Sequence, residues 1–215
     1  MRRRPAALAL LLVWLLLFPW LAQATEVDER DFDAIAPTRN PNASEYSTKH
    51  PEELQPEHIV AHSFILMERS SGKVLLERNA DELMFPASTT KILTALMALE
   101  YGNPDDTLEV SETALDLPDD SSRVPFKQGE VITLRDALYR LMLRSGNEAA
   151  NAIAEHIAGN IPTFVEQMNA TARILGCENT HFVNPHGLHD VTHVTTARDL
   201  AKIMDAALDN KMFRQ

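Results

Sequence analysis

The chain has 215 residues, of which 20 are Lys or Arg and 31 are Asp or Glu, for a formal net charge of −11. That balance repels phosphate backbones and anionic headgroups and argues against nucleic-acid binding. A single cysteine, Cys177, excludes an internal disulfide and a cysteine-built metal cage, so the fold has to be held by its core.

In chain order, the first segment reads as an address. Arg2, Arg3 and Arg4 precede an apolar run from Ala6 to Leu21, and Ala22-Gln23-Ala24 supplies the small-x-small pattern that a signal peptidase reads. The run falls short of the ~20 apolar residues of a spanning helix. Residues 1–24 are therefore expected to be a cleaved signal peptide. Its removal takes Arg2 to Arg4 with it and moves the net charge from −11 to −14. Residues 25–57 are acidic and dotted with Pro37, Pro41, Pro51 and Pro56, the composition of a disordered linker. The folded domain is expected over residues 58–215.

That domain opens on a hairpin. Ile59 to Met67 is β-rich, Ser70-Ser71-Gly72 is a turn, and Val74-Leu75-Leu76 returns. Five helices follow. Thr89 to Leu99 is apolar on nearly every side, the pattern of a buried helix. Leu134 to Leu143 has Thr133 and Asp136 placed for a capping box. Glu148 to Ala158 stops at Gly159, and Thr163 to Leu175 stops at Gly176. The last helix opens on Thr196 to Asp199 and carries Leu200, Ile203, Met204 and Leu208 on one side. Two strands alone make no stable sheet and cannot cover a helix as apolar as the first. Either the domain is helical with a small β appendage, or the remaining strands lie beyond Gln215.

The chemistry concentrates at Ser88-Thr89-Thr90-Lys91, just after Pro86. Residues i and i+3 share a helix face, so Lys91 can reach the Ser88 hydroxyl. A serine becomes a nucleophile when a base takes its proton. A lysine can be that base when burial and the positive end of a helix dipole make its ammonium form costly. Free N–H groups of the first turn can also hold an oxyanion if the geometry aims them at it. The pattern alone is weak, because Ser70-Ser71-Gly72-Lys73 repeats it in a hairpin turn. There the two side chains share no face, so Ser70 and Lys73 read as turn residues.

Ser145-Gly146-Asn147 is a second element, at the break between two helices. Its serine can relay protons and its amide can hold a substrate carbonyl. It also satisfies the bland requirements of a C-cap followed by an N-cap.

Together these residues resemble the low-molecular-weight penicillin-binding proteins, the serine D-alanyl-D-alanine carboxypeptidases. Phe85-Pro86-Ala87-Ser88-Thr89-Thr90-Lys91 resembles the family's nucleophile motif, and Leu143-Arg144-Ser145-Gly146-Asn147-Glu148-Ala149-Ala150 its second motif. The likeness continues through Gly129-Glu130, Phe164-Val165-Glu166-Gln167-Met168-Asn169, Asn184-Pro185-His186-Gly187-Leu188 and Thr195-Thr196-Ala197-Arg198-Asp199-Leu200. It implies an α+β fold of the β-lactamase/transpeptidase type, a five-stranded antiparallel sheet flanked by helices, with the later strands missing from this chain. It also implies that Ser88 is the acylated nucleophile, Lys91 its general base, Ser145 a proton relay and Asn147 a substrate-binding residue. No cofactor or metal is implied. The partners would be peptidoglycan stem peptides ending in D-Ala-D-Ala, and β-lactams. The location would be the periplasm or the outer face of a bacterial cytoplasmic membrane. Membrane association would require a C-terminal tail or an uncleaved leader.

Two departures from the family stand out. Glu148 occupies a position where the family often has aspartate. The third motif, a Lys or His followed by Thr or Ser and Gly, is absent, and Lys211-Met212-Phe213 does not replace it. The chain as it stands is therefore expected to be inactive. The rival readings are a β-lactamase or D,D-endopeptidase of the same fold, and a non-catalytic peptidoglycan-binding fragment. A zinc site from His186, His189, Asp190 and His193 is a further rival, but that stretch has no periodicity to aim its side chains and no H-E-x-x-H arrangement.

Overall fold

The computed structural model describes residues 59–215. The expected signal peptide (1–24), the expected linker (25–57) and the expected domain start at His58 lie outside the described residues. Strands β1 (Phe64–Glu68) and β2 (Lys73–Arg78) pair antiparallel as the expected hairpin, with an irregularity between Leu66 and Met67. Its turn is closed by the Glu68 carboxylate, which accepts from the backbone N–H groups of Ser70 and Ser71. A 3₁₀ turn, Ala87–Thr90, then leads directly into α1 (Lys91–Tyr101). After α1 come β3 (Thr107–Glu109), the short α2 (Glu112–Leu115), β4 (Val131–Thr133) and α3 (Leu134–Arg144). The chain continues through α4 (Asn147–Ala158), α5 (Ile161–Ile174) and α6 (Ala197–Asp209).

The all-round apolarity of α1 has a direct structural cause. Ala95 and Ala98 enter one core with Leu108, Val110, Leu134, Leu141 and Ile153. Leu93, Leu96 and Met97 enter a second, with Phe164, Met168, Phe182 and Ile203. The helix is a wedge between two cores, and the cover comes from helices α3 to α6. Leu108 of β3 adds to that cover. Each fully buried aliphatic side chain contributes roughly 1.5–3 kcal/mol, so the position of α1 is among the most strongly determined features of the fold.

A second antiparallel pair, β3 with β4, was not expected from the sequence. Thr107, Leu108 and Glu109 pair with Thr133, Ile132 and Val131. Three residues are too few for an alternation to register, and 21 residues separate the strands. The pair matters because β4 runs straight into α3, whose other end delivers the Ser145 loop. Both expected caps are present: Thr133 Oγ1 accepts from the Asp136 N–H at 3.0 Å, and Thr196 Oγ1 from the Asp199 N–H at 3.1 Å. The hairpin docks on α6 through Arg69 with Asp205 and Asp209, and through Arg198 with Glu77 and Asp81. These pairs are exposed and add little stability each; they fix the docking register.

Because Thr196 is buried at the head of α6, Thr196→Ala should lower the unfolding free energy by about 1 kcal/mol. Urea denaturation should show a lower midpoint at unchanged slope. An unchanged midpoint would mean that this cap does not hold the helix.

Candidate active site

Three independent attachments hold the turn that carries Ser88. Met84 exchanges backbone hydrogen bonds with Thr195 at 2.8 and 2.9 Å, anchoring the entry. Thr90, fully buried, bonds the His193 ring at 2.9 Å. Between them Ala87 sits in the left-handed region at φ 47°, a conformation costly for a residue with a side chain. Gly187, at φ 89°, lies against it: a Cβ on Gly187 would stand 1.8 Å from the Ala87 carbonyl oxygen. Only glycine fits there.

Ser88 therefore lies on a 3₁₀ turn, not on the first turn of an α-helix. The distinction helps the pairing, because side chains at i and i+3 eclipse in a 3₁₀ turn. Lys91 Nζ stands 3.2 Å from Ser88 Oγ. The Thr89 N–H donates to the Pro86 carbonyl at 3.2 Å, so this first-turn amide already has a partner. The second copy of the pattern is placed otherwise: Ser70 and Ser71 bond Glu68, and Lys73 begins β2 on the exposed side of the hairpin.

Lys91 is 3% exposed. Its Nζ donates to Asn147 Oδ1 at 2.7 Å and to the His186 carbonyl at 2.8 Å, besides meeting Ser88. Burial pushes its pKa down to about 8, against the charge of nearby Glu148, which raises it. Ser145 Oγ stands 3.0 Å from Ser88 Oγ. The expected residues Ser88, Lys91, Ser145 and Asn147 are thus brought together. Ser145 is the left-handed C-cap of α3, at φ 55°, and the same residue touches Ser88.

The His186 carbonyl was missed in the sequence, because a backbone oxygen has no residue-type signature. The available signal was Gly187 two residues after Pro185, a pairing that marks a bend in the chain. Other residues of the resemblance serve the scaffold. Asn169 bonds the Phe182 backbone through both its amide atoms, at 2.7 and 2.8 Å, and Asp199 accepts from the Asn179 N–H and Thr180 Oγ1. Glu148, 2% exposed, accepts from the Val124 N–H at 3.2 Å.

The residues of the zinc reading face different partners. His193 points at Thr90, His186 stands beside Lys91, His189 meets the Phe85 ring edge-on, and Asp190 accepts from Thr192. Among the described residues no three His, Cys, Asp or Glu side chains form a group that could hold a metal ion. No described helix is long and apolar enough to cross a membrane.

Comparison with known proteins follows the same lines. The sequence profile described as D-alanyl-D-alanine carboxypeptidase matches residues 48–214. The D-alanyl-D-alanine carboxypeptidase DacA of Haemophilus influenzae is 37% identical over 157 residues, covering 70% of this chain and 40% of its own length. A D-alanyl-D-alanine endopeptidase of Pseudomonas aeruginosa is 35% identical over 162 residues, covering 74% of this chain and 51% of its own. Among solved structures, penicillin binding protein 6B of Escherichia coli superposes with a TM-score of 0.70 at 34% identity, over 76% of this chain and 55% of that one. The chain thus spans about two-fifths to one-half of the length of these curated relatives. The β-lactamase/transpeptidase fold is shared with these neighbours.

The two buried histidines lead to a test of stability. Burial above all lowers the pKa of His193 to about 4 and of His186 to about 3. His193 Nδ1 accepts from the Val183 N–H at 3.2 Å, so Nε2 carries the proton given to Thr90 and the ring is neutral. The unfolded chain takes up protons near the ordinary histidine value, before the folded protein does. Stability is then complete above about pH 6.5 and falls as pH drops toward 4, with roughly 3 kcal/mol from His193 alone. Urea midpoints for wild type should fall steeply between pH 6.5 and 4, and those of His193→Gln should fall less. Parallel slopes for the two proteins would contradict this account.

Proposed function

The chain belongs to the D-alanyl-D-alanine carboxypeptidase family, and from that premise we propose that it carries the nucleophile of an exported serine peptidase acting on D-Ala-D-Ala termini of peptidoglycan stem peptides. The observation that carries the reading is the buried amine of Lys91, bonded at once to Ser88 Oγ, Asn147 Oδ1 and the His186 carbonyl.

The chemistry follows from counting hydrogens. As an ammonium, Lys91 donates to all three neighbours. As an amine it has two hydrogens and one lone pair, and two of its neighbours can only accept. Asn147 Oδ1 and the His186 carbonyl take the hydrogens, which leaves the lone pair directed at Ser88 Oγ. Ser88 then donates to Lys91 and accepts from Ser145. At pH 7 about one Lys91 in ten is in the amine form at a pKa of about 8, against a few in ten thousand for an ordinary lysine. Ser88 Oγ attacks the carbonyl carbon of the penultimate D-alanine while its proton passes to Lys91. The leaving amine needs one proton: Ser145, one hydrogen bond from Ser88, gives its hydroxyl proton and takes back the one that Lys91 received from Ser88, which returns Lys91 to its amine form. Water then cleaves the acyl-enzyme. A β-lactam ring enters the same path and stops at the acyl stage, which makes the protein a penicillin-binding one.

Three outcomes are expected, each for protein that also carries the third motif absent from these 215 residues, which without it are expected to be inactive. Fluorescent penicillin should label the wild-type protein and not Ser88→Ala, while Ser70→Ala labels normally; label surviving Ser88→Ala would refute the assignment. Lys91→Arg should slow acylation as much as Lys91→Ala, since a guanidinium keeps its proton, and a tenth of the wild-type rate in Lys91→Arg would point to another base. The acylation rate should climb with pH up to about 8 and level off above it, whereas a rate flat from pH 6 to 9 would exclude Lys91 as the group that titrates. Release of terminal D-alanine from a D-Ala-D-Ala peptide marks a carboxypeptidase. Cleavage confined to cross-linked peptides would place the protein with its endopeptidase relative instead.

A further inference from the structure

The acceptor that aims Lys91 from below is the His186 carbonyl, and its position depends on a five-residue loop, Asn184 to Leu188, with little backbone pairing of its own. Pro185 has no N–H to give. The Asn184 side chain supplies the missing bonds: Oδ1 accepts from the His186 N–H at 3.2 Å and the Gly187 N–H at 2.6 Å, and Nδ2 donates to the Leu188 carbonyl at 2.9 Å. With its interior amides tied to one side chain, the loop turns its carbonyls outward onto α1. The Pro185 carbonyl accepts from Thr94 Oγ1 at 2.6 Å, and the His186 carbonyl from Lys91 Nζ at 2.8 Å. Thr94 and Lys91 are three residues apart on one helix face, so the two bonds together set the height of the loop against the helix. Gly187, pressed on the Ala87 carbonyl, sets its distance from the nucleophile turn.

We infer that Asn184 is a positioning residue for the reaction: it holds the His186 carbonyl on Lys91, and so keeps the amine lone pair directed at Ser88. The inference rests on the acyl-enzyme reading above. Asn184 touches no reacting atom. Without its amide, three backbone groups of the loop lose their partner, the carbonyl drifts, and one hydrogen of Lys91 is free to swing toward Ser88. The defect falls on proton transfer and not on substrate binding.

The experiment measures β-lactam acylation by stopped flow in the protein that also carries the third motif, separating the prior binding constant from the acylation rate constant. Rates are expressed per folded molecule and read well below each variant's melting temperature. Asn184→Ala should lower the acylation rate constant about tenfold to a hundredfold, with the binding constant within about twofold of wild type. Asn184→Asp keeps an acceptor for both amides and should recover most of the rate. A purely structural role would lower the folded fraction and leave the rate per folded molecule unchanged, and that result overturns the inference. So does a loss confined to binding, or an Asn184→Asp as slow as Asn184→Ala. Wild-type protein that takes no label, or label that survives Ser88→Ala, overturns the acyl-enzyme reading itself and is told apart by those two arms.

Discussion

An amine sealed from water has to place each of its hydrogens on a protein acceptor, and the rest of the site is arranged around that requirement at Lys91. The nitrogen is buried at the junction of four chain segments: the 3₁₀ turn with Ser88, helix α1, the head of α4 with Asn147, and the loop with His186. Burial alone would make Lys91 a weak cation with no preferred direction. Two fixed acceptors give it direction, because they leave one place for the lone pair. The positive charge is costly enough to bring the pKa to about 8, yet Glu148 nearby keeps it from falling further. For the general-base role proposed for Lys91, a pKa close to the working pH is the most effective compromise for proton transfer.

That arrangement needs a rigid frame, and α1 provides it. A helix gripped by separate cores on two sides can neither roll nor slide without opening one of them. The strain of the site is placed where this frame can bear it. Two of the three non-glycine residues with positive φ among those described lie at the Ser88–Ser145 contact: Ala87, next to Ser88, and Ser145 itself. Such conformations persist only when their surroundings over-determine them. Here the surroundings are the Met84–Thr195 backbone pair and the close approach of Gly187 on one side, and the α3 and α4 helix ends on the other.

Much of this was legible in the sequence, for physical reasons that can be named. The burial of α1 showed as apolarity without a polar face, and the caps at Thr133 and Thr196 showed as hydroxyls three residues ahead of an aspartate. The pairing of Ser88 with Lys91 followed from spacing, and the turn at Ser70 to Lys73 was told apart by its surroundings. What stayed hidden was carried by backbone. The β3–β4 pair is too short to print an alternation. The 3₁₀ turn and the left-handed Ala87 are conformations that alanine and threonine do not announce. His186 drew notice for its imidazole, as a metal ligand, whereas the atom that meets Lys91 is its carbonyl oxygen. Side-chain chemistry can be read from residue types, but the direction of a carbonyl has to be seen.

The protonation state of Lys91 is the quantity on which the account turns. Its Cε resonance can be followed by carbon NMR in protein labelled at lysine, assigned by its disappearance in Lys91→Arg, and titrated from pH 6 to 11. A midpoint near 8, well apart from those of the exposed lysines, is the predicted result. A midpoint at the ordinary lysine value near 10.5 would mean that the amine is not desolvated as described, and that Ser88 is activated by some other group.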